Sequence, residues 1–432
     1  MDAGTALRSF QPTGNPHPLR IINSLRTNTS FRHNPESRIT KATMSRRENN
    51  EPLFEPYDSA TLTKLRRSLK SWYAKRARDL PWRNIGEAYK VWISEIMLQQ
   101  TTVATVVPYF ERFINRFPTI HDLAKAEQDE VLRHWEGLGY YSRARNIHKT
   151  AKLLVEQSDG VFPESTDDLT ALPGIGRYTA GAIMSFAFDL PGAIVEANTL
   201  RLYSRLLCLE ENPRATHGQK ALWAFAEHLL PRKNIGPFNQ SLMDLGATVC
   251  TPNEPDCPEC PLLPHCRAAS ADRQYEVPLA AQKPEITPVI EVSVAVQHED
   301  RFLLRRYPGG QRWAGLWDFV RFPLGDAESL VPTSGLTAAG AVPKRLTSHI
   351  ESSVQDATGA DIQLDRFLKE LRHSVTRYRI SLLCFLASTD HAIPEATENL
   401  QWVPAAQLDD YPLSTTGRKL AVLVQRKQPT LF

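Results

Sequence analysis

Four of the six cysteines in this chain fall at Cys250, Cys257, Cys260 and Cys266, a C-x6-C-x2-C-x5-C spacing. Prolines at 252, 255, 258, 261 and 264 interrupt the same segment. Proline removes a backbone donor and clashes with a continuing helix, so the stretch must be a wrapped loop. Four thiols so placed suit one metal centre, and zinc held by four thiolates is a physical candidate. The clustering fits a reducing compartment better than a secreted disulfide framework. Cys208 and Cys384 stand apart and read as core thiols.

A second constrained stretch is residues 172–201, LPGIGRYTAGAIMSFAFDLPGAIVEANTLR. Its Pro-Gly-Ile-Gly turn cannot stay helical, and Gly174 and Gly176 allow a left-handed backbone and a close approach to a ligand. Residues 178–188 read as a buried helix. A glycine turn opening a helix presents free N–H groups and a positive dipole end, which suits a phosphate. The plain alternative is a tight bend and nothing more. A loop then leads to the apolar pair Ile194 and Val195, which carries the acid Glu196.

Upstream, VWISEIMLQQT at residues 91–101 is apolar on nearly every side and predicts a buried helix with Glu95 in its middle. A carboxyl among Trp92, Ile96 and Met97 loses hydration, so its pKa rises toward a value useful for general acid work. A structural ion pair is the competing explanation. Gln99 and Gln100 follow, with amides suited to reading or replacing a base edge. In GLGYYSRARN, residues 137–146, two tyrosines suit either a wedge into a base stack or core packing, and Arg143 and Arg145 are at hand for phosphate. Residues 64–83 hold eight basic side chains and one acid, interleaved with Trp72, Tyr73 and Trp82. That mixture suits phosphate contact and stacking, or equally a surface helix with snorkelling stems.

At 432 residues the chain has room for two or three domains. No apolar run approaches the roughly 20 residues of a membrane helix. A net charge of +3 is too small to argue nucleic-acid binding by itself. Residues 1–56 read as a disordered or mis-assigned extension. The first fifty carry eight Lys/Arg against three Asp/Glu. An organellar transit peptide, a solvated tail and a true start at Met44 all remain open. Residues 57–267 form one domain and residues 268–288 a linker. A second domain at 289–426 opens with Ile290, Val292, Val294 and Val296 in alternation, followed by a hairpin turn. Residues 346–357 look helical and 379–387 look like a strand, and 427–432 form a tail.

These motifs resemble the base-excision DNA glycosylases of the helix–hairpin–helix superfamily, and most closely the adenine-specific, MutY-type branch. The resemblance is strong over residues 57–267 and weaker over 289–424. It implies a mostly α catalytic region, the helix–hairpin–helix glycosylase fold with a [4Fe–4S] loop, followed by an α+β Nudix-like domain. It implies that Glu95 protonates a ring nitrogen of a departing adenine. Glu196, where the family carries Asp, stabilises the sugar cation, with Asn198 orienting it. Tyr178 occupies the place of the nucleophilic lysine of related glycosylase-lyases, so a monofunctional enzyme is expected. Gln99, Gln100, Tyr141, Gly174 and Gly176 are the expected DNA contacts, with Tyr141 intercalating. The four clustered cysteines are the expected ligands of a [4Fe–4S] cluster, favoured over zinc. The implied partner is double-stranded DNA with adenine opposite 8-oxoguanine or guanine. The alternatives are a glycosylase for another base and a non-catalytic iron–sulfur DNA-binding protein.

Two departures from the family pattern fall in the second domain. The helix matching the Nudix metal-binding segment, SSVQDATG, has Asp356 as its one acid, which predicts binding without hydrolysis. The family's Phe-Ser-His turn is replaced by Val375, Thr376 and Arg377, leaving Thr376 to supply a hydroxyl to 8-oxoguanine. At the end of the chain, Gln428, Leu431 and Phe432 resemble the peptide by which bacterial repair proteins dock on the sliding clamp. Packing of Phe432 back on the domain is the alternative. The expectation is a monomer without membrane attachment, cytoplasmic if bacterial and nuclear or mitochondrial if eukaryotic.

Overall fold

The structure is a computed structural model and describes residues 53–280, 285–311, 313–333, 335–390 and 397–425. The N-terminal extension up to residue 52 and the candidate docking residues Gln428, Leu431 and Phe432 lie outside the described residues. Among the described residues no helix is long and apolar enough to cross a membrane.

The first part is helical. Its elements are α1 (Ser59–Arg76), α2 (Ala88–Leu98), α3 (Val103–Arg116), α4 (Ile120–Lys125), α5 (Gln128–His134) and α6 (Ser142–Ser158). They continue with α7 (Thr166–Ala171), α8 (Arg177–Phe188), α9 (Ala197–Leu207), α10 (Thr216–Leu229), α11 (Ile235–Thr248) and α12 (Arg267–Ser270). Two cores result. One buries Trp92, Phe113 and Trp135, and the other buries Leu65, Phe225 and Leu242. The first helix therefore closes the second lobe. It begins with Asp58 accepting the N–H of Thr61 at 2.6 Å. Its Arg66 donates to the carbonyls of Leu229 and Leu230 at 3.0 and 2.8 Å, satisfying oxygens that α10 leaves open at its end.

The all-round apolar character of residues 91–97 becomes complete burial in α2. Between α7 and α8 the backbone turns at Gly174 with φ +78°. A Cβ at that position would sit 2.7 Å from the Cβ of Asn146, so glycine is required twice over. Gly176 is the N-cap of α8 and has open space around it. Further along, α8 lies hard against the loop that delivers Glu196. A Cβ on Gly181 would meet the Ala193 carbonyl oxygen at 2.0 Å. At the end of α8, the Asp189 carboxylate accepts the N–H groups of Asn234 and Gly236, both at 3.0 Å. That places an anion at the start of α11, where the helix dipole favours it.

The second part is an α+β domain with β1 (Thr287–His298), β2 (Arg301–Arg306), β3 (Trp317–Asp318), β4 (Val320–Pro323), β5 (Gln363–Val375), β6 (Tyr378–Ser388) and β7 (Leu400–Pro404). Helices α13 (Lys344–Thr358) and α14 (Thr415–Gln425) pack on the sheet. The strand order is β3-β2-β1-β6-β5, with β4 on β1 and β7 on β2; β1 runs parallel to β6. The expected hairpin is present, with Gln297 opposite Phe302. The alternation in β1 does not leave a wet face. Glu291, Ser293 and Ala295 are buried as well, because α13 covers one side of the sheet and α14 the other. Glu291 is accommodated by Arg321, whose Nε lies 2.6 Å away. The start of the expected linker packs on the helical part, since Arg205 donates to the Val277 carbonyl at 2.9 Å.

Gly181→Ala should lower unfolding stability by roughly 1–3 kcal/mol through backbone displacement. Gly309→Ala, where an added Cβ meets nothing within 4 Å, should stay within about 0.5 kcal/mol. Urea unfolding of both variants checks the contrast.

Candidate active site

Glu95 lies mid-way along α2 and is 3% exposed. Tyr178, in the first turn of α8, donates its hydroxyl to Glu95 Oε2 at 2.5 Å. Burial pushes the Glu95 carboxyl up to about 7; the Tyr178 bond opposes this, and the nearby Glu196 charge adds to the rise. The Tyr178 hydroxyl is held well above its ordinary range, by burial first and then by the two carboxylates.

Glu196 is the N-cap of α9. Its Oε1 accepts the N–H of Thr199 at 2.8 Å, and its Oε2 accepts the N–H and the side-chain amide of Asn198 at 2.8 and 3.2 Å. Thr199 Oγ1 returns the contact by accepting the Glu196 N–H at 2.9 Å, completing a capping box. The methylene by which Glu exceeds Asp is taken up by curling the carboxylate back onto its own helix. Burial raises its pKa, against the pull of the Asn198 and Thr199 N–H groups and Arg201. Asn198 is itself fixed by Arg201 Nη2, 3.0 Å from its Oδ1.

Glu95, Tyr178, Glu196 and Asn198 line a single cavity of about 600 Å³, shared with Gln99 and Gln100. That volume is ample for a nucleobase with its sugar. Arg78 and Arg83 also stand in its wall, held there by a residue the sequence reading missed. Asp244 on α11 has a fully buried carboxylate that takes Arg83 Nη1 and Nη2 at 2.9 and 2.7 Å and Arg78 Nε at 2.7 Å. Burial works to raise the Asp244 pKa, but the two arginines outweigh it and hold the group below its ordinary value. Arg83 also donates to the Tyr73 hydroxyl at 2.6 Å, and Tyr73 in turn donates to Gln240 at 3.0 Å. At Arg78 and Arg83 the basic stretch thus faces inward, away from any phosphate. A signal was present: an acid inside the apolar string FNQSLMDLG is the same signature that marks Glu95.

On the far side of Gln99 and Gln100 lies a second cavity of about 280 Å³, lined also by Tyr140, Asn146 and Gly174. Gln100 is exposed and held at φ +57°, a conformation that costs energy outside glycine and marks functional sites. The expected intercalator is corrected here. Tyr141 is 6% exposed, packs in the first lobe and accepts the Gly137 N–H at 3.3 Å. Its neighbour Tyr140 is the exposed one of the pair, at 45% and φ +48°. Arg143 and Arg145 are not at hand for phosphate either. Arg143 is buried against main-chain carbonyls, and Arg145 donates to the Ala314 carbonyl of the second domain.

Thr376 sits exposed in the β5–β6 turn at φ +54°, with its hydroxyl on the Val375 carbonyl at 2.7 Å, and lines neither cavity. Cys250, Cys257, Cys260 and Cys266 are free thiols that together line one recess, with Arg205 Nη1 3.2 Å from the Cys250 sulfur. Among the described residues, no three Cys, His, Asp or Glu side chains gather closely enough to hold a single metal ion.

Residues 93–228 match the HhH-GPD superfamily of base excision DNA repair proteins, and residues 291–422 match the NUDIX domain. Over 253 residues the chain is 41% identical to the adenine DNA glycosylase of Buchnera aphidicola subsp. Schizaphis graminum, covering 58% of this chain and 73% of that protein. The chain belongs to the adenine DNA glycosylase family. It is 39% identical over 297 residues to the adenine DNA glycosylase of Mus musculus, covering 65% of this chain and 58% of that protein. The chain thus spans little more than half the length of the mouse relative. A solved thermostable thymine-DNA glycosylase is 28% identical, with a TM-score of 0.45 over 50% of this chain and 97% of its own. As an adenine DNA glycosylase family member, the chain holds its two carboxyls in unlike settings: Glu95 against a phenol, Glu196 on a helix N-terminus.

The Glu95 environment has a measurable consequence for stability. Its pKa of about 7 in the folded chain lies above the ordinary 4.5, so the stabilisation from its bound proton is complete below about pH 4.5. That stabilisation is lost as the pH rises through about 7. Glu95→Gln cannot ionise, and its stability should therefore rise relative to the parent by roughly 3 kcal/mol between pH 4.5 and pH 8. Parallel pH profiles of unfolding for the two proteins would contradict a neutral buried acid.

Proposed function

We propose that this protein hydrolyses the N-glycosidic bond of an adenine paired with 8-oxoguanine or guanine in double-stranded DNA. The observation that supports it is the pairing of Glu95 and Glu196 on one cavity of about 600 Å³, one carboxyl raised to about 7 and the other bound by N–H groups. The adenine is extruded into that cavity, and Gln100 and Tyr140 enter the space it leaves. Glu95 gives its proton to a ring nitrogen of the base, the glycosidic bond breaks with its electron pair leaving on adenine, and an oxocarbenium-like sugar remains. Glu196 faces that cation as a carboxylate, and Asn198 keeps it oriented. Water adds to the sugar carbon, and the Glu95 carboxylate takes up the proton released. This division between one neutral and one ionised carboxyl parallels that of O-glycosidases. Tyr178 has no amine and a pKa well above its ordinary value, so it offers no Schiff base and no strand cleavage follows.

The four clustered cysteines are read as ligands of a [4Fe–4S] cluster. A tetrahedral zinc with bonds of about 2.3 Å draws its sulfurs to within roughly 4 Å of one another. A four-iron cluster gives each thiolate a different iron and accepts a wider set. The four thiols line one recess, one available to each iron, with the Arg205 cation beside Cys250. A bound cluster would brace the 250–266 loop, and no step of the hydrolysis passes through it. Thr376 is read as a contact to the opposite purine, and Gln428, Leu431 and Phe432 as a clamp-docking peptide of an otherwise monomeric protein.

The test is release of free base from duplexes carrying each mispair. Adenine should be released opposite 8-oxoguanine and guanine. Glu95→Gln should abolish release while leaving duplex binding in place. Glu196→Gln should lose on the order of a hundredfold or more, the scale of a lost electrostatic stabiliser. Tight binding of mismatched duplex by the parent, with no base released from any pair, would replace the enzyme reading with that of a binding protein.

The cluster reading has its own check. Anaerobically prepared protein should be brown with about four irons per chain, and Cys257→Ser should lose both iron and colour. Zinc without iron in such a preparation would overturn it.

A further inference from the structure

The turn that presents Tyr140 is gripped from both sides. Inside, Trp135 Nε1 donates to the Gly139 carbonyl at 3.1 Å, and Arg143 Nη2 donates to the carbonyls of Leu138 and Gly139 at 3.2 and 3.1 Å. Outside, the contact comes from the second domain. Arg418 on α14 sends Nε and Nη2 to the two oxygens of Glu136, at 2.8 and 3.0 Å. Such a two-pronged pair fixes geometry as well as distance. Arg418 is in turn anchored by the carbonyls of Leu408 and Tyr411 at 2.8 and 2.7 Å, and by Asp409 at 2.8 Å. Its side chain is 22% exposed and that of Glu136 17%, so solvent screens the pair far less than an ordinary surface ion pair.

Glu136 directly precedes the residue at which the backbone leaves the common regions. Gly137, Gly139 and Tyr140 have φ of +99°, +73° and +48°. A tyrosine in the left-handed region persists only where its surroundings over-determine it. Neighbouring contacts carry the same message. Asp129 on α5 accepts from Arg306 at 2.6 Å and from the Trp317 indole at 3.1 Å, so the second domain is seated on the elements that flank the turn.

We propose that Arg418 is a positioning residue for the Tyr140 turn: through its pair with Glu136, the second domain holds Tyr140 in the posture from which it enters the base stack. The functional consequence rests on the base-extruding reading given above, whereas the pair and the turn do not. A domain that inspects the opposite strand thereby gains a mechanical hold on the wedge that displaces the adenine.

The experiment uses the full chain and two readouts. Hydrogen exchange of the Gly139–Tyr141 amides is followed in the free protein. Base extrusion is followed by the fluorescence of 2-aminopurine placed beside a target adenine whose sugar is fluorinated to resist cleavage. R418A should speed exchange in the turn and slow extrusion, each by about tenfold, as expected for loss of a largely buried ion pair. Adding E136Q to R418A should move neither readout further, a lack of additivity that a general loss of packing would not produce. Where R418A does not fold, E136Q breaks the same pair from the other side. Exchange and extrusion unchanged in these variants would overturn the proposal. The exchange readout needs no DNA. A response there from a parent that releases no adenine would keep the positioning role and bring down the glycosylase reading instead.

Discussion

The buried guanidinium of Arg143 is the interaction on which the candidate site depends. Its Nη1 donates to the carbonyls of Ile96, Met97 and Gln99 at 2.7, 2.9 and 2.6 Å, and its Nη2 reaches Leu138 and Gly139. The last carbonyls of a helix have no partner within it and carry the negative end of its dipole. At the end of α2 those carbonyls are sealed from water, and one cation satisfies them together with the carbonyls of the following turn. Burial lowers the Arg143 pKa to about 10, which still leaves it charged at neutral pH. The result is a rigid joint between the helix that carries Glu95, the Gln99–Gln100 step and the turn that carries Tyr140. Lysine could not substitute, because a single ammonium lacks the planar fork that spans both segments.

That joint also shows where sequence reasoning stopped. The apolar surroundings of Glu95 and the glycine turn at Gly174 follow from residues close together in the chain and were legible; the N-cap position of Glu196 is as local but was not drawn. Arg143 and Arg145 were read as phosphate ligands because an arginine beside tyrosines in a glycine-rich stretch has that look. Their true partners, carbonyls of α2 for one and of Ala314 for the other, lie far along the chain and leave no local trace. Choosing between Tyr140 and Tyr141 failed for a related reason. Adjacent residues in a turn point apart, and which of them faces the core is set by the backbone of Gly137, Gly139 and Tyr140 itself, all at positive φ. The β1 alternation led to the hairpin that is present, but both faces are buried because the strand is paired in the middle of a sheet with a helix on each face.

Asp244, behind Arg78 and Arg83 of the cavity wall, illustrates how charge is managed near the proton donor. Two arginines converge on one buried carboxylate, a group that would be unstable alone and whose loss would strand both cations. Arg83 stands in the cavity wall, paired with Asp244, and its pull on the Glu95 pKa is smaller than the rise caused by burial. Glu95 stays near 7 because burial is opposed only by a phenol and a partly compensated guanidinium.

Four helix ends of the helical part follow one electrostatic rule. Carboxylates sit at helix starts, Glu196 on α9 and Asp189 on α11, and guanidiniums sit at helix ends, Arg143 on α2 and Arg66 on α10. For three of the four the effect is structural. For Glu196 it is also chemical, because the N–H groups of α9 favour the ionised form of a carboxyl whose burial favours the neutral one. An aspartate at the same N-cap would hold its charge on a shorter stem. The glutamate needs both of its oxygens tied down by Asn198 and Thr199 to keep the longer stem from wandering. The capping box therefore fixes the carboxylate of Glu196 on its longer stem, and Asn198 holds it with both its main-chain and its side-chain N–H.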